Sequence, residues 1–169
     1  GERYCGTNSR EYIMLTDFDN LPEDARIWIY ASETSLNSNQ QKEIINILSD
    51  HLEGWNAHKV PLTAGVTILE NHFIVVALDE NMNGASGCSI DTLQQKIQEI
   101  EKEFSVSLMN RLNVFCKIED EIHTVPSFKL GSVANANTLF YDFTILTKRD
   151  LSTYLKPISE GWCASYIKN

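Results

Sequence analysis

Six consecutive apolar residues, Phe73-Ile74-Val75-Val76-Ala77-Leu78, constrain this chain more than any other stretch. A strand turns successive side chains to opposite faces, so a run with no polar member must be covered on both. The run therefore predicts a central strand. Arg26-Ile27-Trp28-Ile29-Tyr30 is rich in β-branched and aromatic residues and predicts a second strand. Val66 to Leu69 predicts a third, joined to the central run by the polar corner Glu70-Asn71-His72, a hairpin signal. Asn113 to Ile118 predicts a fourth.

Two helices separate these strands. Ser38-Asn39-Gln40-Gln41 has capping-box form, and Ile44, Ile45, Leu48, Leu52 and Trp55 follow at helical spacing. Ile90, Leu93, Ile97, Ile100 and Phe104 step by three or four, with Ser89 as the expected cap. The order β-α-β-β-α-β predicts an α+β fold with ferredoxin-like topology: a four-stranded antiparallel sheet with two helices on one face. Residues 1–19 are expected to form an irregular arm, 20–119 the ferredoxin-like core, and 120–169 a C-terminal α+β extension packed on it. That extension is read as a short strand at Ile122 to Val125, a short helix from Pro126 to Val133, a strand at Thr138 to Leu146 and a helix through Leu155. Trp28 and Tyr30 would lie bare on the second face of the sheet unless the extension, or a second copy in a homodimer, covers them.

The net charge of −9 comes with no basic stripe, which argues against nucleic-acid binding. No apolar run reaches the length of a membrane span, so no membrane partner is expected. Cys5, Cys88, Cys116 and Cys163 contain no CxxC pair, and no signal-peptide pattern is visible. These readings predict reduced thiols and a cytoplasmic protein, with no cofactor. His51 and His58 stand seven apart, too far for a two-ligand helical metal site, and His72 and His123 have no ligand pattern; no metal is expected.

The segment Gly84-Ala85-Ser86-Gly87-Cys88-Ser89-Ile90-Asp91 falls where the central strand gives way to the second helix. A helix start leaves N–H groups without partners and favours negative charge. Gly84, Ser86, Gly87, Cys88, Ser89 and Asp91 are the candidate ligand-binding residues, for a small anion or a protein partner. The competing explanation is a tight connection, with the glycines supplying unusual backbone angles and Cys88 filling a small buried space. A third reading makes Cys88 the nucleophile of a small thiol-dependent enzyme, with His58 or a carboxylate as base. Against it stands the absence of an obvious route from the end of the first helix to this turn. Asp79 and Glu80, at the strand end, are read as solvated or capping carboxylates.

Ala25-Arg26-Ile27-Trp28-Ile29-Tyr30, Trp55-Asn56-Ala57-His58, Phe73 to Glu80, Gly84 to Asp91 and Pro157-Ile158-Ser159-Glu160-Gly161-Trp162 together resemble a family of short, uncharacterised bacterial proteins. Members often carry the label "ABC transporter ATPase". The resemblance spans roughly residues 20–167 and implies a bacterial protein, but the chain has no GxxxxGK[ST] phosphate loop, so it implies no ATP hydrolysis. Gly161-Trp162-Cys163-Ala164 stands where that family shows Ser-Trp-His. Residues 113–162 are also similar, in their order of strand, strand, short helix, strand and tryptophan, to GYF-type peptide-binding modules, without the Gly-Tyr-Phe itself. The leading expectation is a non-catalytic binding or interaction module using the Gly84–Asp91 loop.

Overall fold

The computed structural model describes residues 17–167, which are mixed α+β with antiparallel sheets. The chain divides into two units between Leu108 and Met109. The expected irregular arm falls mostly outside the described residues, as does Cys5.

The first unit runs β1 (Arg26–Ala31), α1 (Ser38–Glu53), β2 (Asn56–Ala57), β3 (Val60–Pro61), β4 (Ala64–Leu69), β5 (Phe73–Leu78) and α2 (Gly87–Phe104). β5 is central and antiparallel to both β1 and β4, in register Ile29↔Val75 and Thr67↔Val75. All six of its residues are fully buried, as a strand apolar on both faces requires. α1 buries Ile44, Leu48 and Leu52, and α2 buries Leu93, Ile97 and Ile100. Those are the stripes set by their spacing. Tyr30 is buried as well, and Trp28 is half-buried, with the Arg26 guanidinium 4.5 Å over its ring and Trp55 edge-on at 5.8 Å. The bare aromatic face foreseen for a homodimer is therefore not bare.

The four-stranded ferredoxin-like sheet does not form. The first sheet has three strands, ordered β1-β5-β4, and the fourth predicted strand, β6 (Asn113–Ile118), lies in a separate sheet of the second unit. β6 is joined by a two-residue turn to β7 (Glu121–Pro126), and a hairpin this short closes at little entropic cost. On its other side β6 pairs with β8 (Leu139–Tyr141), and β8 with β9 (Leu155–Pro157). The unit boundary thus precedes β6, where the sequence reading placed it after.

Both helix caps also shift. Asn37, not Ser38, caps α1: its Oδ1 accepts from Gln40 N at 2.8 Å, and Gln40 Oε1 accepts from Asn37 N at 2.9 Å. Ser86, not Ser89, caps α2, and Ser89 takes the reciprocal position three residues on. In both cases the predicted cap residue is instead the start or the third residue of the helix, because a side-chain oxygen at either position suits the reciprocal box.

In the second unit the helices foreseen near 126–133 and 147–155 are short 3-10 helices of six residues each, Ser127–Ser132 and Lys148–Thr153. The strand foreseen from Thr138 to Leu146 stops at Tyr141. There Asp142 turns its carboxylate onto Thr144 N and Lys156 Nζ, each at 2.9 Å, and offers the backbone an alternative to the ladder. Burial works to raise this carboxyl, but the hydrogen bonds from Thr144 and Lys156 outweigh it and hold Asp142 below its usual range. One core collects Val114, Cys116, Leu130, Phe140, Ile158 and Cys163.

The hairpins β2–β3, β4–β5 and β6–β7 turn on paired left-handed residues: His58-Lys59, Glu70-Asn71 and Glu119-Asp120. Such turns match the twist of antiparallel strands, yet the left-handed backbone costs an ordinary residue about 1–2 kcal/mol. Replacing Glu119-Asp120 with Asn-Gly is expected to stabilise the second unit by roughly 0.5–1 kcal/mol. The gain is read as a higher thermal midpoint; an unchanged or lower midpoint contradicts the turn geometry.

Candidate functional site

The C-terminal end of α1 and the N-terminal end of α2 meet in the first unit. α1 stops at Glu53, with Gly54 N bonded back to the carbonyls of His51 and Leu52. Trp55 then swings inward, 2% exposed, and its indole Nε1 donates to Ser89 O in the first turn of α2 at 2.7 Å. Thr92 Oγ1 donates to the same carbonyl at 2.9 Å. Beside this tie lies an open pocket of about 440 Å³, lined by both helix ends and by the β2–β3 hairpin.

Of the predicted loop residues, Ser86, Cys88 and Ser89 line this pocket, whereas Gly84, Gly87 and Asp91 are not among its lining residues. Gly84 sits by Glu80, whose carboxylate faces the Arg26 guanidinium at 3.8 Å. Asp79 accepts from Asn81 N at 2.9 Å, a local turn contact. Neither glycine adopts a left-handed backbone, so the explanation by unusual angles does not hold for them. Cys88 is exposed rather than filling a buried space.

His58 also lines the pocket, carried there by the left-handed turn of β2–β3. The structure thus brings His58 and Cys88 to one cavity, which the sequence reading did not foresee. It does so because α1 ends early and the chain doubles back. For the same reason His51 and His58 are not two turns apart on one helix. No hydrogen bond joins either ring to the Cys88 thiol among the described residues.

The amides at the start of α2 can be counted. Ile90 N donates to Ser86 O at 3.0 Å, and Ser89 N to Ser86 Oγ at 3.1 Å. Gly87 N and Cys88 N have no protein partner among the described residues, and no carboxylate occupies the first turn. Within α2 itself nothing compensates the positive end of this 18-residue helix; the carboxylate that lines the same pocket is Asp50, from α1.

Sequence reasoning passed over Trp55 as a site residue and weighed His51 only as a metal ligand. His51 follows Leu48 by three residues within α1, which puts it on the flank of the buried stripe. Its Nε2 is fully buried without a hydrogen-bond partner, and its ring lies 6.5 Å from that of Trp55. Burial pulls the imidazole below its usual range, Lys96 adds to the effect, and Glu99 opposes it.

The other described thiols offer no chemistry. Burial pushes Cys116 up to about 11 and raises Cys163 as well, and both sit in the core of the second unit. Among the described residues, no group of three His, Cys, Asp or Glu side chains is placed to hold a metal ion, and no helix is long and apolar enough to cross a membrane. No protein-family model, curated protein or solved structure matches this chain.

Proposed function

We propose that this protein is a non-catalytic binding module that holds a small anionic group in the pocket between the end of α1 and the start of α2. The observation that carries the reading is the pair of unpartnered amides in the first turn of α2, Gly87 N and Cys88 N, of which Cys88 belongs to a residue lining the open cavity and Gly87 lies between two lining residues, Ser86 and Cys88. A sulfate-, phosphate- or carboxylate-bearing ligand would accept from these amides, with the Ser86, Ser89 and Thr92 hydroxyls beside it. Asp50, which also lines the pocket, repels an anion there and lowers its affinity without removing the amide donors.

A second reading, a thiol-dependent enzyme with Cys88 as nucleophile, has in its favour that Cys88 is exposed in the cavity that also holds His51 and His58. It lacks a base in contact with the sulfur, which leaves the binding reading ahead. The free thiols of Cys88, Cys116 and Cys163 support a cytoplasmic location, in keeping with the short bacterial proteins that the chain resembles.

Sulfate titration followed by amide chemical shifts tests the proposal. Saturable shifts are expected at Gly87 and Cys88, and weakened binding in Gly87→Pro. Proline suits the first position of a helix and removes only the N–H there. Ser86 already has the extended backbone that a following proline demands (φ −103°, ψ 167°). A lost charge-assisted hydrogen bond corresponds to about a tenfold or greater drop in affinity. Shifts spread over the whole surface, or unchanged affinity in Gly87→Pro, would sink the reading.

A further inference from the structure

The fully buried, unpartnered Nε2 of His51 is not explained by packing alone. A buried polar atom without a partner is costly, and the wall it sits in is the seam between α1 and α2. We infer that His51 is a proton-sensitive latch between α1 and α2, closed while the ring is neutral and loosened when the ring takes up a proton. The inference concerns regulation of the pocket proposed above and rests on that reading only for its effect on ligand.

The physical argument concerns what a proton would meet. A neutral imidazole can leave Nε2 as a bare acceptor, at the cost of one hydrogen bond. A protonated one carries a charge and an N–H in a place where no acceptor is within bonding distance. The charged groups that face the ring are Lys96 and Glu99 on α2, and Lys96 Nζ is tied to Glu99 Oε1 at 3.0 Å. That pair offers little net compensation, because the cation repels the imidazolium while engaging the carboxylate that would attract it. On its own helix His51 has Asp50 next to it. Across the pocket are Cys88 and His58. The Trp55 ring, tilted beside the imidazole, holds it in place but accepts no hydrogen bond of ordinary strength.

The sign follows from linkage. The ring binds a proton more weakly in the folded protein than in the unfolded chain, so acid favours unfolding. The stability contributed by neutral His51 is complete above pH 6.5, its ordinary value, and is lost as the pH falls from there toward the lower folded value. Over that window the unfolding equilibrium rises by up to about tenfold per pH unit.

Two measurements on the full chain test this. In the first, the ring signals of the histidines are followed by NMR from pH 8 to pH 4. The His51 midpoint is expected below 6.5, the ordinary value for the ring; a midpoint at or above 6.5 overturns the inference. This readout needs no variant and no ligand, so its failure is separate from failure of the binding proposal. In the second, sulfate affinity at the Gly87 and Cys88 amides is measured at pH 7.5 and pH 5.0, in the wild type and in His51→Gln. Sulfate keeps its charge throughout this range. The latch predicts weaker binding at pH 5.0 in the wild type and a flatter profile in His51→Gln. Tighter binding at pH 5.0 that disappears in His51→Gln would mean that His51 acts as a cation in the site, and would overturn the latch.

Discussion

Replacing Trp55 by alanine is expected to cost about 3–5 kcal/mol of stability in the first unit, the range for emptying a buried aromatic site. Burial, a ring contact and a hydrogen bond are lost together. The ring is 2% exposed, packs edge-on against Trp28 at 5.8 Å, and donates to Ser89 O at 2.7 Å. Trp55→Phe separates volume from hydrogen bond. It retains much of the apolar bulk and drops the indole donor, for an expected cost of about 1–2 kcal/mol plus the partial cavity. The carbonyl it abandons is not orphaned, because Thr92 Oγ1 still donates to it at 2.9 Å. Denaturant unfolding of both variants measures the difference. If Trp55→Ala costs less than 1 kcal/mol, the two helix ends are not held together by this residue, and the pocket has another organiser.

Gly161→Ala is expected to destabilise the second unit by about 1–3 kcal/mol, through overpacking. A Cβ at this position would lie 2.0 Å from Phe140 Cζ and 2.4 Å from Cε1. The backbone itself imposes no need for glycine, since φ −117° and ψ 177° are extended values open to any residue. The requirement is space alone. Phe140 has no room to yield: it is fully buried, its strand is laddered on both sides, and Cys116, Ile158 and Cys163 share its core. Phe140→Leu in the Gly161→Ala background is expected to recover part of the loss, because the clashing ring atoms are gone. A lone Gly161→Ala that unfolds at the wild-type midpoint would show that the ring and the 3-10 turns of the tail move apart freely.

The elements were largely legible where a period could be counted. The unbroken apolar run of β5 demanded cover on both faces and is buried on both. Of the helical stripes, Ile44, Leu48 and Leu52 of α1 and Leu93, Ile97 and Ile100 of α2 are inside, while Ile45, Ile90 and Phe104 are half-buried at the margins. The Glu70-Asn71-His72 corner is a hairpin turn. Cap positions were less legible, since Asn37 and Ser38, or Ser86 and Ser89, satisfy the same local chemistry one or three residues apart. In the second unit, short segments with many 3-10 turns carry no long period, and there lengths and types went astray.

The site was half legible. Ser86, Cys88 and Ser89 were identifiable because a helix start needs a cap and leaves amides over, which is a local property. His51 and Trp55 were visible only as members or neighbours of an apolar stripe. Their place in the pocket depends on a contact across 34 residues, Trp55 to Ser89, for which no local pattern codes.

By itself, the order of residues determined the long helices and the strands of the first sheet, which of their faces are apolar and that amides are left over near Gly84–Asp91, because each of these is set by neighbours a few positions away. Only the tertiary structure decided that β6 joins β8 instead of the first sheet, that the aromatic face of β1 is covered, and that the end of α1 closes on the start of α2. Those outcomes are choices among distant partners of similar chemistry. They are settled by which arrangement buries the most apolar surface for the least loop closure, a quantity that belongs to the whole chain and not to any window of it.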